Sequence, residues 1–148
     1  MEIERKYLIH KLPENLDTYP YKKIEQAYLC TEPVVRIRKQ NQEYFLTYKG
    51  KGLLVREEHN LPLTEAAYLH LKEKADGIFL SKTRYLLPLS DTLTIELDVF
   101  DAPYENLWLA EVEFPTKEDA ENFLPPSWFG EDVTFSTEYQ NSSLALKL

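Results

Sequence analysis

Five times along this 148-residue chain, two charged side chains flank one residue that must face the opposite way. These pairs are Glu2-Ile3-Glu4, Arg36-Ile37-Arg38, Lys82-Thr83-Arg84, Glu96-Leu97-Asp98 and Glu111-Val112-Glu113. Each sits in a stretch of period-two alternation, the mark of a half-buried strand, so both charges of a pair share one face. Lys6 extends the Glu2/Glu4 face, and Lys49 and Glu58 can join it from two further strands. Like charges two residues apart in a strand lie about 6.5 Å from each other, which costs roughly 2.5 kcal/mol at an effective dielectric of about 20. A sheet whose charges merely met water would mix signs between neighbours. Here three segments carry acidic pairs and two carry basic pairs, a segregation that points to ligands of opposite charge.

The alternation predicts eight strands: 2–10, 22–30, 34–40, 43–49, 54–62, 78–88, 92–100 and 107–114. Turn signals separate them, among them Asn41-Gln42, Gly50-Lys51-Gly52, Ser90-Asp91 and Ala102-Pro103. Two helices are expected. One runs over 64–75, with Thr64 as N-cap and Gly77 beyond its end; the other runs over 116–124, stopped by Pro125-Pro126. The expected fold is mainly β, of the α+β kind: an antiparallel sheet closed or nearly closed on itself, flanked by a few helices. One domain over 1–148 suits the length.

A net charge of −8 and the lack of a basic stretch argue against a nucleic-acid partner. No apolar run is long enough for a membrane span, and the start of the chain has no basic-then-apolar leader. With one cysteine, Cys30, expected to be buried or half-buried, a reducing cytoplasm is the expected address. His10, His59 and His70 are scattered, and Trp108 and Trp128 read as packing residues.

Grouped carboxylates on neighbouring strands form a hard-oxygen site suited to Mg²⁺ or Mn²⁺. Grouped arginines and lysines suit phosphate oxygens. Together they are the parts that phosphoryl transfer requires.

Taken in order, the motifs resemble the CYTH superfamily of triphosphate tunnel metalloenzymes along nearly the whole chain. Glu2-Ile3-Glu4-Arg5-Lys6 resembles its ExExK signature, Arg36-Ile37-Arg38 its R-x-R strand, and Arg56-Glu57-Glu58 its R-x-E step. Lys82-Thr83-Arg84 resembles the K-x-R strand, and Val133-Thr134, Tyr139-Gln140-Asn141 and Leu144-Ala145 the closing segment. Glu138, where the family usually has a basic residue, and the His59-Asn60 pair depart from the pattern.

The resemblance implies an eight-stranded antiparallel tunnel that hydrolyses a linear triphosphate, with inorganic tripolyphosphate the favoured substrate. It assigns divalent metal, Mg²⁺ or Mn²⁺, to Glu2, Glu4, Glu111 and Glu113, with Glu96 and Asp98 as further or water-mediated ligands. Phosphates fall to Arg36, Arg38, Lys49, Lys82 and Arg84, with Glu58 bridging basic side chains at the same site. Lys6 is the catalytic candidate, orienting or deprotonating the attacking water. Arg56 reads as solvated. Thiamine triphosphatase and class IV adenylyl cyclase are the alternatives on this fold, and a non-catalytic polyphosphate or nucleotide binder is the alternative of another class. A homodimer is left open.

Overall fold

The computed structural model describes residues 1–146. Nine strands and three helices follow in chain order: β1 (Glu2–Leu8), β2 (Tyr21–Thr31), β3 (Val34–Gln40), β4 (Glu43–Lys49), β5 (Val55–Arg56), β6 (Glu58–Pro62), α1 (Glu65–Lys72), β7 (Asp76–Pro88), β8 (Thr94–Phe100), β9 (Trp108–Glu113), α2 (Lys117–Glu121) and α3 (Asn141–Leu146). Every strand pairing is antiparallel, in the order β5-β1-β9-β8-β7-β2-β3-β4-β6.

The two edge strands of that order are consecutive in the chain, separated by Glu57 alone. β5 pairs with β1 (Glu2 opposite Arg56), and β6 pairs with β4 (Lys49 opposite Glu58). One bent segment therefore bridges the gap and closes the sheet into a barrel, which leaves no long open edge. The single strand expected over 54–62 is this segment. It divides in two because its halves hydrogen-bond to different neighbours, and that raises the expected eight strands to nine.

The barrel is inverted relative to a common soluble sheet. Ile3, Ile37, Leu97 and Val112, the middle residues of four charged pairs, point outward. Leu97, Val112 and the partly buried Ile3 join an apolar layer with Ile95, Ala110, Phe114 and Ala120 of α2. On the other side, Ile37 and Ala27 pack under Tyr68 of α1. Thr64 caps α1 by accepting a hydrogen bond from Ala67 N at 3.1 Å, and Thr116 caps α2 through Asp119 N at 3.1 Å. Burying these outer faces lets the inner faces carry charge without losing the core that holds the domain together.

One end of the interior is apolar. Leu8, Tyr28, Val34, Leu80, Phe100 and Leu109 share the inward parity of the charged residues on their strands, and they pack with Leu144 and Ala145 of α3. The third helix thus fills this end of the barrel. It is not among the two helices expected from sequence, because six residues are too few to show a helical period and packing supplies what so short a segment lacks.

Both expected helices are shorter than the sequence suggested. α1 stops at Lys72 because β7 begins at Asp76, so Gly77 is a strand residue at φ +70° rather than a helix stop. A Cβ there would lie 2.3 Å from Ala145 O, so glycine is required where α3 approaches β7. Cys30, expected to be at least half-buried, is exposed at the end of β2. No helix among the described residues is long and apolar enough to cross a membrane.

Gly77→Ala should lower the unfolding free energy by about 2 kcal/mol, combining a left-handed backbone with a clash against α3. Urea titration of the two proteins checks this, and equal midpoints would show that α3 does not press on β7.

Candidate active site

The charged pairs meet in one interior cavity of about 310 Å³. Strand order decides how they meet. β1, β9 and β8 are neighbours, so Glu2, Glu4, Glu111, Glu113 and Glu96 form one acidic wall. β7, β3 and β4 supply Lys82, Arg84, Arg36, Arg38 and Lys49 as a basic wall, with β2 between the first two. Lys6 and Glu58 line the cavity as well.

The walls touch at two seams, and both are ion-paired. At the β7–β8 seam, Lys82 Nζ donates to Asp98 Oδ2 at 2.6 Å, and Arg84 Nε donates to Asp98 Oδ1 at 2.7 Å. Arg84 Nη1 also reaches Glu96 Oε2 at 3.0 Å. At the closing seam, Lys49 Nζ donates to Glu2 Oε1 at 3.1 Å and stands 3.4 Å from Glu58 Oε2. Lys6 Nζ donates to the Tyr139 carbonyl at 3.3 Å and lies 3.7 Å from Glu111 Oε1.

All the charged residues singled out from sequence line the cavity except Asp98. Asp98 is 0% exposed and both of its oxygens are taken by Lys82 and Arg84. It therefore stands behind the wall as an anchor for two cations, not facing the lumen as a metal ligand would. Its pattern partner Glu96 does face the lumen, since the pairing places Asp98 opposite Arg84 and nearer the filled end.

The basic wall is not uniform. Among the described residues no carboxylate lies within 4 Å of Arg36 or Arg38, whereas Lys82, Arg84, Lys49 and Lys6 all have acidic partners. Neutral groups hold the two arginines of β3. Arg36 Nη2 donates to Thr47 Oγ1 at 3.2 Å, and Arg38 donates through Nε (2.9 Å) and Nη2 (2.6 Å) to Gln26 Oε1. Arg36 Nε is buried without a hydrogen-bond partner. A buried guanidinium held by neutral acceptors keeps its full charge for an incoming anion.

The titration of these groups follows from the same packing. Burial, with Arg36 and Arg84 nearby, pulls Arg38 down to about 9. Burial also draws Lys82 down to about 7 despite Asp98, with Arg84 and Arg38 adding to the effect. On the acidic wall, burial and the charges of Glu111 and Glu2 raise Glu4 well above the usual carboxylate range. Burial acts to raise Glu111 too, but Lys6, Arg84 and Lys82 outweigh it and hold Glu111 well below that range. Divergent carboxylates side by side are typical of functional sites.

Several lining residues carried no charge-pair signal. Thr47, Asn60, Gln140 and Ser142 line the cavity, and Asn141 lines it from the start of α3, accepting from Lys82 Nζ at 2.9 Å. Arg56, read as solvated, lines the cavity because β5 pairs beside Glu2, while its Nε donates to Gly50 O at 3.3 Å. His10 and His59 are exposed and pair with Glu131 and Glu57. Trp108 and Trp128 pack on the outer apolar layer.

An inorganic triphosphatase of Nitrosomonas europaea is 39% identical to this chain over 151 aligned residues, covering 99% of this chain and 98% of that protein. An inorganic triphosphatase of Acetivibrio thermocellus is 32% identical over 113 residues, covering 74% of this chain and 70% of that one. A solved inorganic triphosphatase superposes with a TM-score of 0.73 at 36% identity, covering 100% of this chain and 96% of the other. A Hippeastrum protein named as an adenylyl cyclase with a dominant triphosphatase activity shares the fold alone, with a TM-score of 0.58 at 16% identity over 82% of this chain and 83% of that one. The CYTH domain matches residues 1–145, and on that match the chain belongs to the CYTH domain family.

Proposed function

We propose that this protein is a metal-dependent hydrolase of linear triphosphates, with inorganic tripolyphosphate as its substrate. The observation that carries the reading is the division of one closed lumen into an acidic wall and a basic wall. The relatives named as inorganic triphosphatases support it.

In this reading Arg36 and Arg38 anchor the phosphates, since neutral groups orient them and leave their charge unspent. Lys82, Arg84 and Lys49 complete the clamp as the substrate draws them from their carboxylates, and Glu58 holds Lys49 in place. Burial acts to lower Lys6, but Glu111 and Glu4 outweigh it and raise its pKa. Lys6 is therefore a cation that orients the attacking water and the phosphate it attacks. It is a poor base in that state.

Glu2, Glu4, Glu111 and Glu113 would hold the cation, with Glu96 near them. These are oxygen donors only, on adjoining strands, which fits Mg²⁺ or Mn²⁺. Among the described residues no three acidic, histidine or cysteine side chains already converge into a metal cage. Glu2 is turned toward Lys49, and Glu111 toward Lys6 and Arg84. Burial, together with the charges of Glu111 and Glu2, raises the pKa of Glu4, and a cation at this wall would favour its charged form. When bound, the cation would neutralise phosphate charge and activate water.

The purified protein should release phosphate from tripolyphosphate with Mg²⁺ or Mn²⁺, ahead of thiamine triphosphate, ATP and pyrophosphate in the same assay. Tripolyphosphate left intact with either metal would sink the proposal, and preference for another member of that panel would move the substrate. Glu4→Ala should abolish release, and Arg38→Ala should cut kcat/KM about 100-fold or more.

Glu4 must lose its proton before it can hold a cation, so its raised pKa makes metal affinity climb with pH. Calorimetry over a pH series should find binding that tightens as pH rises above the ordinary carboxylate range, with protons released on binding. Affinity that stays flat across the series, with no proton release, would remove Glu4 from the metal site.

A further inference from the structure

We propose that Gln26 is a positioning residue that sets the Arg38 guanidinium for phosphate, from behind the cavity wall, without neutralising it. This rests on the triphosphatase reading and deepens it. Gln26 lies on β2 between the two basic strands β7 and β3, is 0% exposed, and is not part of the cavity lining. Its register position is opposite Arg38, on the inward face.

Its amide is locked at both ends. Oε1 accepts from Arg38 Nε at 2.9 Å and Arg38 Nη2 at 2.6 Å. Nε2 donates to Asn141 Oδ1 at 2.7 Å and, more weakly, to Tyr28 Oη at 3.4 Å. Asn141 Oδ1 in turn accepts from Lys82 Nζ at 2.9 Å. A guanidinium can only donate, so Arg38 holds Gln26 with Oε1 toward it; Gln26 Nε2 then donates, which sets Asn141 with Oδ1 facing both Gln26 and Lys82. Two amides thus span the space between Arg38 and Lys82 in a single defined orientation.

The residue type follows from the charge balance. Asp98 orients Arg84 with two charge-assisted hydrogen bonds, at the cost of cancelling its charge. Gln26 offers Arg38 a similar two-point grip with a neutral oxygen. Arg38 is then fixed against rotation yet remains an unspent cation at the point where the substrate needs one. A carboxylate at the same position would grip as well and compete with phosphate.

The test compares wild type with Gln26→Leu, Gln26→Glu and Arg38→Lys, and with the double variant Gln26→Leu/Arg38→Lys. Tripolyphosphate hydrolysis and tripolyphosphate binding by calorimetry are both measured, with thermal melting to establish folding. Gln26→Glu keeps the acceptor and should still melt cooperatively. Both Gln26 variants should raise KM and weaken binding about tenfold or more, with a smaller change in kcat. In the Arg38→Lys background, Gln26→Leu should add less than about a twofold loss, because its action runs through the guanidinium.

Wild-type KM and binding in folded Gln26→Glu, or full additivity in the double variant, overturn the proposal while leaving the hydrolase reading intact. A wild type that binds tripolyphosphate without cleaving it overturns hydrolysis alone, and the binding series then decides the role of Gln26. A wild type that neither binds nor cleaves it overturns both.

Discussion

Two ion-paired seams hold opposite charges together inside this barrel. Where β7 meets β8, Asp98 takes Lys82 and Arg84; where the chain closes between β1 and β4, Lys49 takes Glu2 with Glu58 beside it. So many charges could not be taken out of water singly, since an unpaired buried ion costs several kcal/mol. Pairing at the seams makes the inverted barrel tolerable. It also leaves the middle of each wall less well compensated, with Glu4 pushed toward protonation and the β3 arginines held by neutral groups. What the seams leave uncancelled is what a cation and a polyanion would complete.

The closing seam links fold and site most directly. Glu57 separates two short strands that pair to opposite sides, and that change of partner brings residue 2 beside residue 49. The same bend carries Arg56 into the lumen. α3 plays the complementary part at the far end. Leu144 and Ala145 fill the apolar floor while Asn141, one turn earlier, reaches Lys82 and Gln26. The C-terminal helix is thereby both a plug and a support for the basic wall.

Much of the site was legible because period-two alternation is a strong local signal: Glu2 with Glu4, Arg36 with Arg38, and Lys82 with Arg84 could only share a face. The misses have local causes too. Asp98 has the same sequence signature as Glu96, and only its cross-strand position opposite Arg84 takes it out of the lumen. Gln26 is an uncharged residue in a strand, with nothing in its neighbourhood to mark it. Asn141 is no miss, being named in the closing Tyr139-Gln140-Asn141 motif, but the six-residue helix that places it is maintained by packing and not by propensity. Gly77 looked like a helix stop, and its actual constraint is the carbonyl of Ala145 arriving from a distant segment.

The sequence by itself determined which side chains stand together on each strand, that their charges segregate by strand, and through its ordered motifs the family. Tertiary structure alone decided which strands are neighbours. It sets β1 against β9 across more than a hundred residues, gathers the acids on one side, and turns the charged face inward rather than toward water. The physical reason is range. Alternation is dictated by the geometry of each residue and the next, whereas strand order and the direction of a face depend on which distant apolar surfaces can cover one another.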